Sequence, residues 1–245
     1  EIPASVVVTT AHPQVSFLKL LDRSVLPPDF VADIERYRSR SGVVKVNLAV
    51  DRLPTFTSHP EFHPDVHGGT IVLAESVDEL EAGFQDAVGG RASRRPFADI
   101  CIPSVFDDSL APEGKHVVSL FTQWVPHQWA EQPHRAEVDA HADAVIARVE
   151  EVAPGFTASI LHRQVIGPHD MATDYGLVGG NIFHGELSPA QLFHARPAAG
   201  YADLRTPVRG LYQAGSGTHG GGGVTGIPGR NAVRQVLADR RRSAR

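Results

Sequence analysis

The feature that most constrains this chain is a glycine-rich run between residues 215 and 226. The apolar segment before it, 208–214, predicts a buried strand. The segment after it predicts a helix with one apolar face, formed by Ala232, Val233, Val236 and Leu237. Glycines adopt backbone angles closed to other residues, and a helix N-terminus offers free N–H groups, so the run suits a negative or electron-rich ligand. A tight structural turn is the alternative that these residues leave open.

Three common motifs do not account for this run. Residues 215–220 fit G-x-G-x-x-G literally, but a dinucleotide fingerprint also needs a second strand with an acidic residue about 20 positions further on. We expect no such strand, because the remaining chain reads as a basic helix up to Arg245. The run also lacks the Gly-Lys-Ser/Thr of a P-loop and the spacing of a serine-hydrolase elbow. It therefore does not indicate a nicotinamide, nucleoside triphosphate or serine-hydrolase site.

Residues 211–233 resemble the C-terminal signature of FAD-dependent oxidoreductases of the phytoene desaturase and carotenoid isomerase type. Segments 175–197, 6–21 and 42–50 resemble the same family, so that the resemblance extends over most of the chain. Within the family, the chain is similar to the phytoene dehydrogenase-related proteins of the pyridine nucleotide-disulfide oxidoreductase domain-containing type. Gly220 stands where the family pattern leads us to expect proline, which loosens the turn but keeps the backbone open.

The resemblance implies that FAD accepts a hydride from a hydrophobic small molecule in a dehydrogenase, desaturase or isomerase reaction. The flavin ring carries this chemistry, and the protein supplies orientation, a dry pocket and positive potential, so we assign no catalytic residue. By resemblance, the later residues of the run lie beside the flavin ring and the earlier ones nearer the ribityl and pyrophosphate groups. The residues implied to bind FAD are Gly215, Ser216, Gly217, Thr218, His219, Gly222, Gly223, Val224 and Thr225. His219 could equally be a structural histidine of the turn.

The order of predicted elements indicates an α/β (α+β) fold in two parts. A substrate domain over 14–204 would contain a mixed sheet with helices covering one face. Residues 1–13 and 205–245 would be the remnant of an FAD-binding domain, contributing its C-terminal strand, glycine loop and helix. The strands predicted for the mixed sheet are 43–50, 69–74, 98–103 and 116–124.

The family's FAD fingerprint lies upstream of the segments matched here, so the resemblance implies that the N-terminal Rossmann unit is missing. We therefore expect the chain to be the C-terminal part of a longer flavoprotein. The fragment alone would be inactive and hold no FAD, because one part of the cofactor site cannot offset the entropy lost on binding. Its unpaired strand edges would favour self-association. The alternative is a non-catalytic interaction or regulatory module derived from such a flavoprotein.

Composition excludes several other functional classes. A net charge of −5 argues against a nucleic-acid partner, and a single cysteine, Cys101, excludes a disulfide framework and a cysteine-based zinc site. The chain has no apolar stretch of about 20 residues and no secretory signal, which predicts a cytoplasmic protein. The basic tail leaves a peripheral contact with an anionic membrane open.

Two local patterns give further expectations. In loop 54–69, Pro60 and Pro64 interrupt any helix that could align the three histidines, so we predict no metal site there. Ser76 followed by Glu79 predicts a capping box at the start of a helix. The residues of that helix predicted to point inward are Val77, Leu80, Phe84 and Val88.

Overall fold

The computed structural model describes residues 2–243, which form two compact units. Unit 1 contains 2–40 together with 181–243, and unit 2 contains 41–180. Segments 14–40 and 181–204, which we assigned to a substrate domain, lie in unit 1. A cofactor role for one unit and a substrate role for the other stay predictions.

Seven strands and eight α-helices, together with seven short 3-10 helices, make up the regular structure of the described residues. The strands are β1 (Val7–Thr9), β2 (Val43–Val50), β3 (Ile71–Leu73), β4 (Phe97–Cys101), β5 (His116–Gln123), β6 (Ile160–Ile166) and β7 (Leu211–Gln213). The helices are α1 (Pro13–Leu18), α2 (Pro28–Glu35), α3 (Pro64–His67), α4 (Val77–Val88), α5 (Arg135–Val152), α6 (Phe156–Ser159), α7 (Pro168–Thr173) and α8 (Ile227–Ser243).

The sheet of unit 2 has five strands in the order β3-β4-β5-β2-β6, and every neighbouring pair is antiparallel. The prediction of a mixed sheet was therefore wrong for this unit. Leu73 at the end of β3 pairs with Ala98 at the start of β4, because α4 and the loop after it bring the chain back to the same end. A helix between two strands is typical of parallel crossovers, but a helix with a returning loop joins antiparallel neighbours equally well.

Helix α5 covers one face of this sheet, as its apolar stripe predicts. The stripe packs into one core with the inward residues of the strands, such as Val46, Leu48 and Leu120. Residues that alternate along β2 are fully buried on this face, which is the period of two expected of a strand. The stripe consists of Val138, Ala142, Val145, Ile146 and Val149, all of them buried.

The predicted orientation of α4 was wrong for three of its four inward residues, and the fourth, Leu80, is half-buried. Ser76 does cap the helix, since the Glu79 amide donates to its hydroxyl at 3.1 Å. However, Val77, Phe84 and Val88 are 79%, 42% and 63% exposed. The buried face instead carries Gly83, Asp86 and Ala87. The helix is turned by ion pairs: Glu79 contacts the buried Arg148 guanidinium at 2.8 Å, and Asp86 contacts Arg91 and Arg94, both at 3.2 Å.

The histidine loop contains one helical turn, α3, where we expected none. Pro64 is tolerated because a proline at the first helical position lacks an N–H that would have no helical partner anyway. The His67 ring is buried, with Nε2 at 3.1 Å from the Pro54 carbonyl. Within residues 2–243, no three His, Cys, Asp or Glu side chains are placed to hold a metal ion.

Unit 1 is organised around a parallel pair of strands. β1 pairs with β7 in the register Val7 to Leu211 and Thr9 to Gln213. β7 lies within the segment 208–214 that we predicted as a strand. On α8, Ala232 is buried against Leu204 and Ala214, but Val233 and Leu237 of the predicted apolar face are exposed. No helix in the described part of the chain has the length and apolarity needed to cross a bilayer.

A buried histidine on the inner face of α5, His141, makes the stability of unit 2 depend on pH. The Thr122 hydroxyl donates to the Val44 carbonyl at 2.8 Å, so it accepts from His141 Nε2 at 3.0 Å. His141 Nδ1 has no partner among the described residues. Burial lowers the pKa of His141 from 6.5 to about 4, so the folded unit requires the neutral ring. This contribution to stability is complete above pH 6.5 and is lost as the pH falls from 6.5 towards 4.

We expect the free energy of unfolding of unit 2 to fall by on the order of 2 kcal/mol between pH 7 and about pH 4.5 through His141 alone. Urea unfolding followed by tryptophan fluorescence measures this, because Trp124 and Trp129, the two tryptophans of the chain, both lie in unit 2. His141→Met should remove that part of the pH dependence. Equal pH dependence in the variant and the native protein would contradict the assignment.

Candidate functional site

The glycine-rich run divides into a packed first part and an exposed second part. Thr218 is fully buried, its hydroxyl donates to the Gly215 carbonyl at 2.8 Å, and its amide donates to the same carbonyl at 3.3 Å. A Cβ at Gly217 would lie 2.7 Å from Cδ of Pro13, so glycine is needed there for packing. This first part, residues 215–218, is thus a tight structural turn, which was one of the two interpretations of the run.

The second part, residues 219–225, presents its backbone outward. His219, Gly223, Val224 and Thr225 are all exposed. Gly223 has φ +104°, and Val224 has φ +55°, a left-handed value that a β-branched residue rarely adopts. The Thr225 hydroxyl accepts from the Ile227 amide at 3.2 Å, at the point where α8 begins. A helix N-terminus therefore follows an open stretch of backbone, as predicted.

A pocket of about 290 Å³ lies beside this open backbone within unit 1. Of the nine predicted residues, the structure places His219, Gly222 and Gly223 on its wall, and the other six do not line it. We had not predicted the other residues that line the pocket as site residues. Most of them belong to segment 175–197, which we had noted only for its resemblance to the family. These residues are Phe183, Leu187, Leu192, Phe193 and Arg196, together with Gly220 and Gly221.

Arg196 fixes the shape of this pocket from behind. Its side chain is 1% exposed. Nη2 and Nε donate to the Ser216 carbonyl at 2.8 and 3.1 Å, and Nη2 also donates to the Phe183 carbonyl at 2.9 Å. Nη1 donates to the Glu186 carbonyl at 3.0 Å. One guanidinium therefore ties the packed part of the glycine run to the segment that carries the aromatic wall.

The positive charge of Arg196 is balanced by carbonyl dipoles. No carboxylate oxygen of residues 2–243 lies within 4.0 Å of the guanidinium, and burial lowers the pKa of Arg196. A buried charge without a counter-ion leaves a positive potential in the neighbouring pocket, because the low dielectric screens it little. The pocket therefore favours a ligand that carries or gains negative charge.

The groups packed near Arg196 are neutral. The Tyr37 hydroxyl donates to the His184 carbonyl at 2.9 Å, and burial raises the pKa of Tyr37 to about 12. The Gln14 amide donates to His12 Nδ1 at 3.1 Å, so Nε2 carries the proton and donates to the Ser39 hydroxyl at 2.7 Å. Burial, and then the nearby His184 and Arg196, lower the pKa of His12 to about 4. This cluster therefore adds no second charge to the positive potential.

Comparisons with known proteins assign the chain to a family. It is 44% identical over 250 residues to pyridine nucleotide-disulfide oxidoreductase domain-containing protein 2 of Rattus norvegicus, covering 98% of this chain and 42% of the relative. It is 26% identical over 251 residues to a chloroplastic prolycopene isomerase of Daucus carota, covering 98% of this chain and 36% of the relative. The chain thus spans about two fifths of the length of these relatives.

Two further comparisons add little. An oxidoreductase from Methanosarcina mazei of known structure matches 96% of this chain and 43% of its own, with 20% identity and a TM-score of 0.46, which is too low to establish a shared fold. No protein-family model matches the chain. On its relatives, the chain belongs to the family of the pyridine nucleotide-disulfide oxidoreductase domain-containing proteins, and it is more distantly similar to a prolycopene isomerase.

Proposed function

We propose that the chain is the C-terminal part of an FAD-dependent oxidoreductase that transfers a hydride between a hydrophobic small molecule and the flavin. The observation that carries the proposal is the pocket beside residues 219–223, where open glycine backbone meets an apolar wall with a buried guanidinium behind it. Membership of an oxidoreductase family supports the same class of reaction.

The residues of this pocket fit a flavin ring. A Cβ added at Gly221 would meet no atom within 4 Å, so a flat group can approach the backbone there. Phe183 and Phe193 offer aromatic surface, and the charge of Arg196 favours a ring that becomes anionic on reduction. When bound, the isoalloxazine ring would accept the hydride. The chain's own part is to position the ring, exclude water and supply positive potential.

The earlier residues of the run have a supporting role in this proposal. Gly215, Ser216, Gly217 and Thr218 hold the turn in shape through the Thr218 and Arg196 hydrogen bonds. Gly222, Gly223, Val224 and Thr225 would contact the cofactor with their backbone. A Cβ at Gly222 would lie 2.5 Å from Cδ1 of Phe183, so Gly222 also lets the aromatic wall close against the run.

The flavin content of the protein tests this proposal. We expect the product of the complete reading frame to purify yellow, with one FAD released per chain on denaturation. The 245-residue chain alone should leave the fluorescence of added FAD unchanged, because it contains only part of the residues that would hold the cofactor. A colourless full-length protein that added FAD leaves unchanged would contradict the proposal and favour the non-catalytic module.

A further inference from the structure

The face of the unit 2 sheet turned away from α5 carries a row of polar groups at its centre. Along β2, Val44, Val46 and Leu48 are buried on the α5 face, whereas Lys45 and Asn47 between them are half-buried on the other face. The register places Lys45 beside Phe121 and Ile166, and Asn47 beside Ser119 and Gln164. The polar row therefore crosses the three adjacent strands β5, β2 and β6.

Lys45 is the unpaired charge of this row. Its ammonium donates to the Ser119 hydroxyl. Within residues 2–243, no carboxylate oxygen lies within 4.0 Å of it. Burial lowers the pKa of Lys45, which is the expected effect of placing an ammonium where water is partly excluded. A half-buried cation without a counter-ion is costly, and an anionic ligand would relieve that cost.

The neighbours of Lys45 have donors to spare. Because the Ser119 oxygen accepts from Lys45, its own O–H proton remains free to donate. Asn47 donates to Gln164 Oε1 at 3.1 Å, so the Gln164 amide keeps its N–H groups for another partner. Lys45 and Ser119 therefore offer two donors in contact with each other, and Gln164, on the other side of Asn47, offers a third. A carboxylate, which only accepts hydrogen bonds and has two oxygens, matches this set.

Apolar side chains lie beside these donors on the same face. Phe121 and Ile166 flank Lys45, and Val117 lies opposite Ala49 one step further along β2. Asp99 is the carboxylate of this face that is nearest in the register, and Phe121 separates it from Lys45. Two strand spacings amount to about 10 Å, so Asp99 does not neutralise the ammonium by direct contact. The surface combines one cationic group with apolar side chains on both neighbouring strands, and the polar residues His162 and Gln123 border it on the same face.

We propose that this face of the sheet binds the carboxylate of an apolar molecule, with Lys45 as the anchor and Ser119 and Gln164 as additional donors. The hydrocarbon part of the ligand lies over Phe121, Ile166 and Val117. If the proposed oxidoreductase function holds, this ligand is the substrate, and the substrate class is an apolar carboxylic acid. Only that identification rests on the proposed function. The binding itself requires no flavin.

Calorimetric titration of the chain with dodecanoate and with dodecanol, both kept below their aggregation limits, tests the proposal. The two probes share an alkyl chain and differ in the carboxylate. We expect dodecanoate to bind more tightly, and Lys45→Met to weaken dodecanoate binding by about 10- to 100-fold, as loss of a charge-assisted hydrogen bond predicts. Dodecanol binding should change less than about threefold in the same variant, because it makes no ionic contact.

Lys115→Met is the matched control, because Lys115 is an exposed lysine of the same unit and its loss changes the net charge equally. It should leave dodecanoate binding unchanged. Tryptophan fluorescence during urea unfolding confirms that unit 2 of each variant is folded. Equal binding of the two probes by the native chain, or equal losses in the two variants, would overturn the proposal. Since no step uses FAD, its failure is separate from a failure of the flavin assignment.

Discussion

Arg196→Met is expected to destabilise unit 1 by about 3 kcal/mol, since a buried acceptor left without a donor costs about 1–3 kcal/mol. The guanidinium satisfies the carbonyls of Ser216, Phe183 and Glu186, and methionine offers them no N–H. The substitution also removes the unfavourable free energy of burying a charge. The net destabilisation is therefore smaller than the summed cost of leaving three carbonyls without donors. The glycine run and the aromatic wall should then separate.

Hydrogen–deuterium exchange of the peptide that covers 211–224 measures this effect locally. The Thr218 amide, which donates to Gly215, should exchange faster in Arg196→Met. Arg196→Lys should fall between the variant and the native protein, because an ammonium keeps the charge but lacks the planar fork. Arg23→Met is the control: that arginine is exposed and its pair with Glu35 is worth under about 1 kcal/mol. Unchanged exchange in Arg196→Met would refute the anchoring role.

Gly223→Val is expected to lower the affinity of the full-length protein for FAD by about 10- to 100-fold. A φ of +104° is open to glycine and strained for valine, and such strain costs about 1–3 kcal/mol. The loop would relieve it by leaving the conformation that faces the pocket. Unit 1 should stay folded, since Gly223 is exposed and a Cβ there meets only Thr225 Cγ2, at 3.6 Å.

The control for this variant is Gly229→Val. Gly229 lies in α8, is exposed, and has no atom within 4 Å of an added Cβ. Valine there is at least as favourable as glycine in a helix, so FAD binding should be retained. The measurement is the flavin bound per chain after purification, together with titration of the apoprotein by flavin fluorescence quenching. Native flavin content in Gly223→Val would count against contact between this backbone and the cofactor.

Features decided by neighbouring residues were predictable from the sequence. The strand predicted at 43–50 has those bounds in the structure, because apolar residues, mostly valine, stand at every second position from Val44 to Val50. The apolar stripe of α5 faces the core as its spacing requires. The strand, glycine turn and helix at residues 208–243 also follow from local composition. In each case the spacing of apolar residues along the chain predicts the type of element that forms, and no distant contact is needed to explain it.

Features decided by distant partners were not predictable in this way. The rotation of α4 depends on Arg148, about 70 positions from Glu79, and no period in the helix reveals that pair. The position of Arg196 inside unit 1 is equally hidden, since arginines are mostly exposed and its acceptors are backbone carbonyls, which every residue has. The wall of the pocket could be found only through the resemblance of segment 175–197.

Because β1 pairs with β7, the first strand of the chain cannot find its partner until the last strand has been synthesised. Val7 and Leu211 pair across about 200 residues of intervening chain, and closing a loop of that length costs about 5 kcal/mol of entropy before any contact compensates for it. A ribosome delivers all of unit 2 before it delivers β7, so unit 2 can fold while β1, with its exposed valines, still lacks its parallel neighbour. β1 therefore stays without its parallel partner until residue 213 has emerged, whatever the folding rate of unit 2.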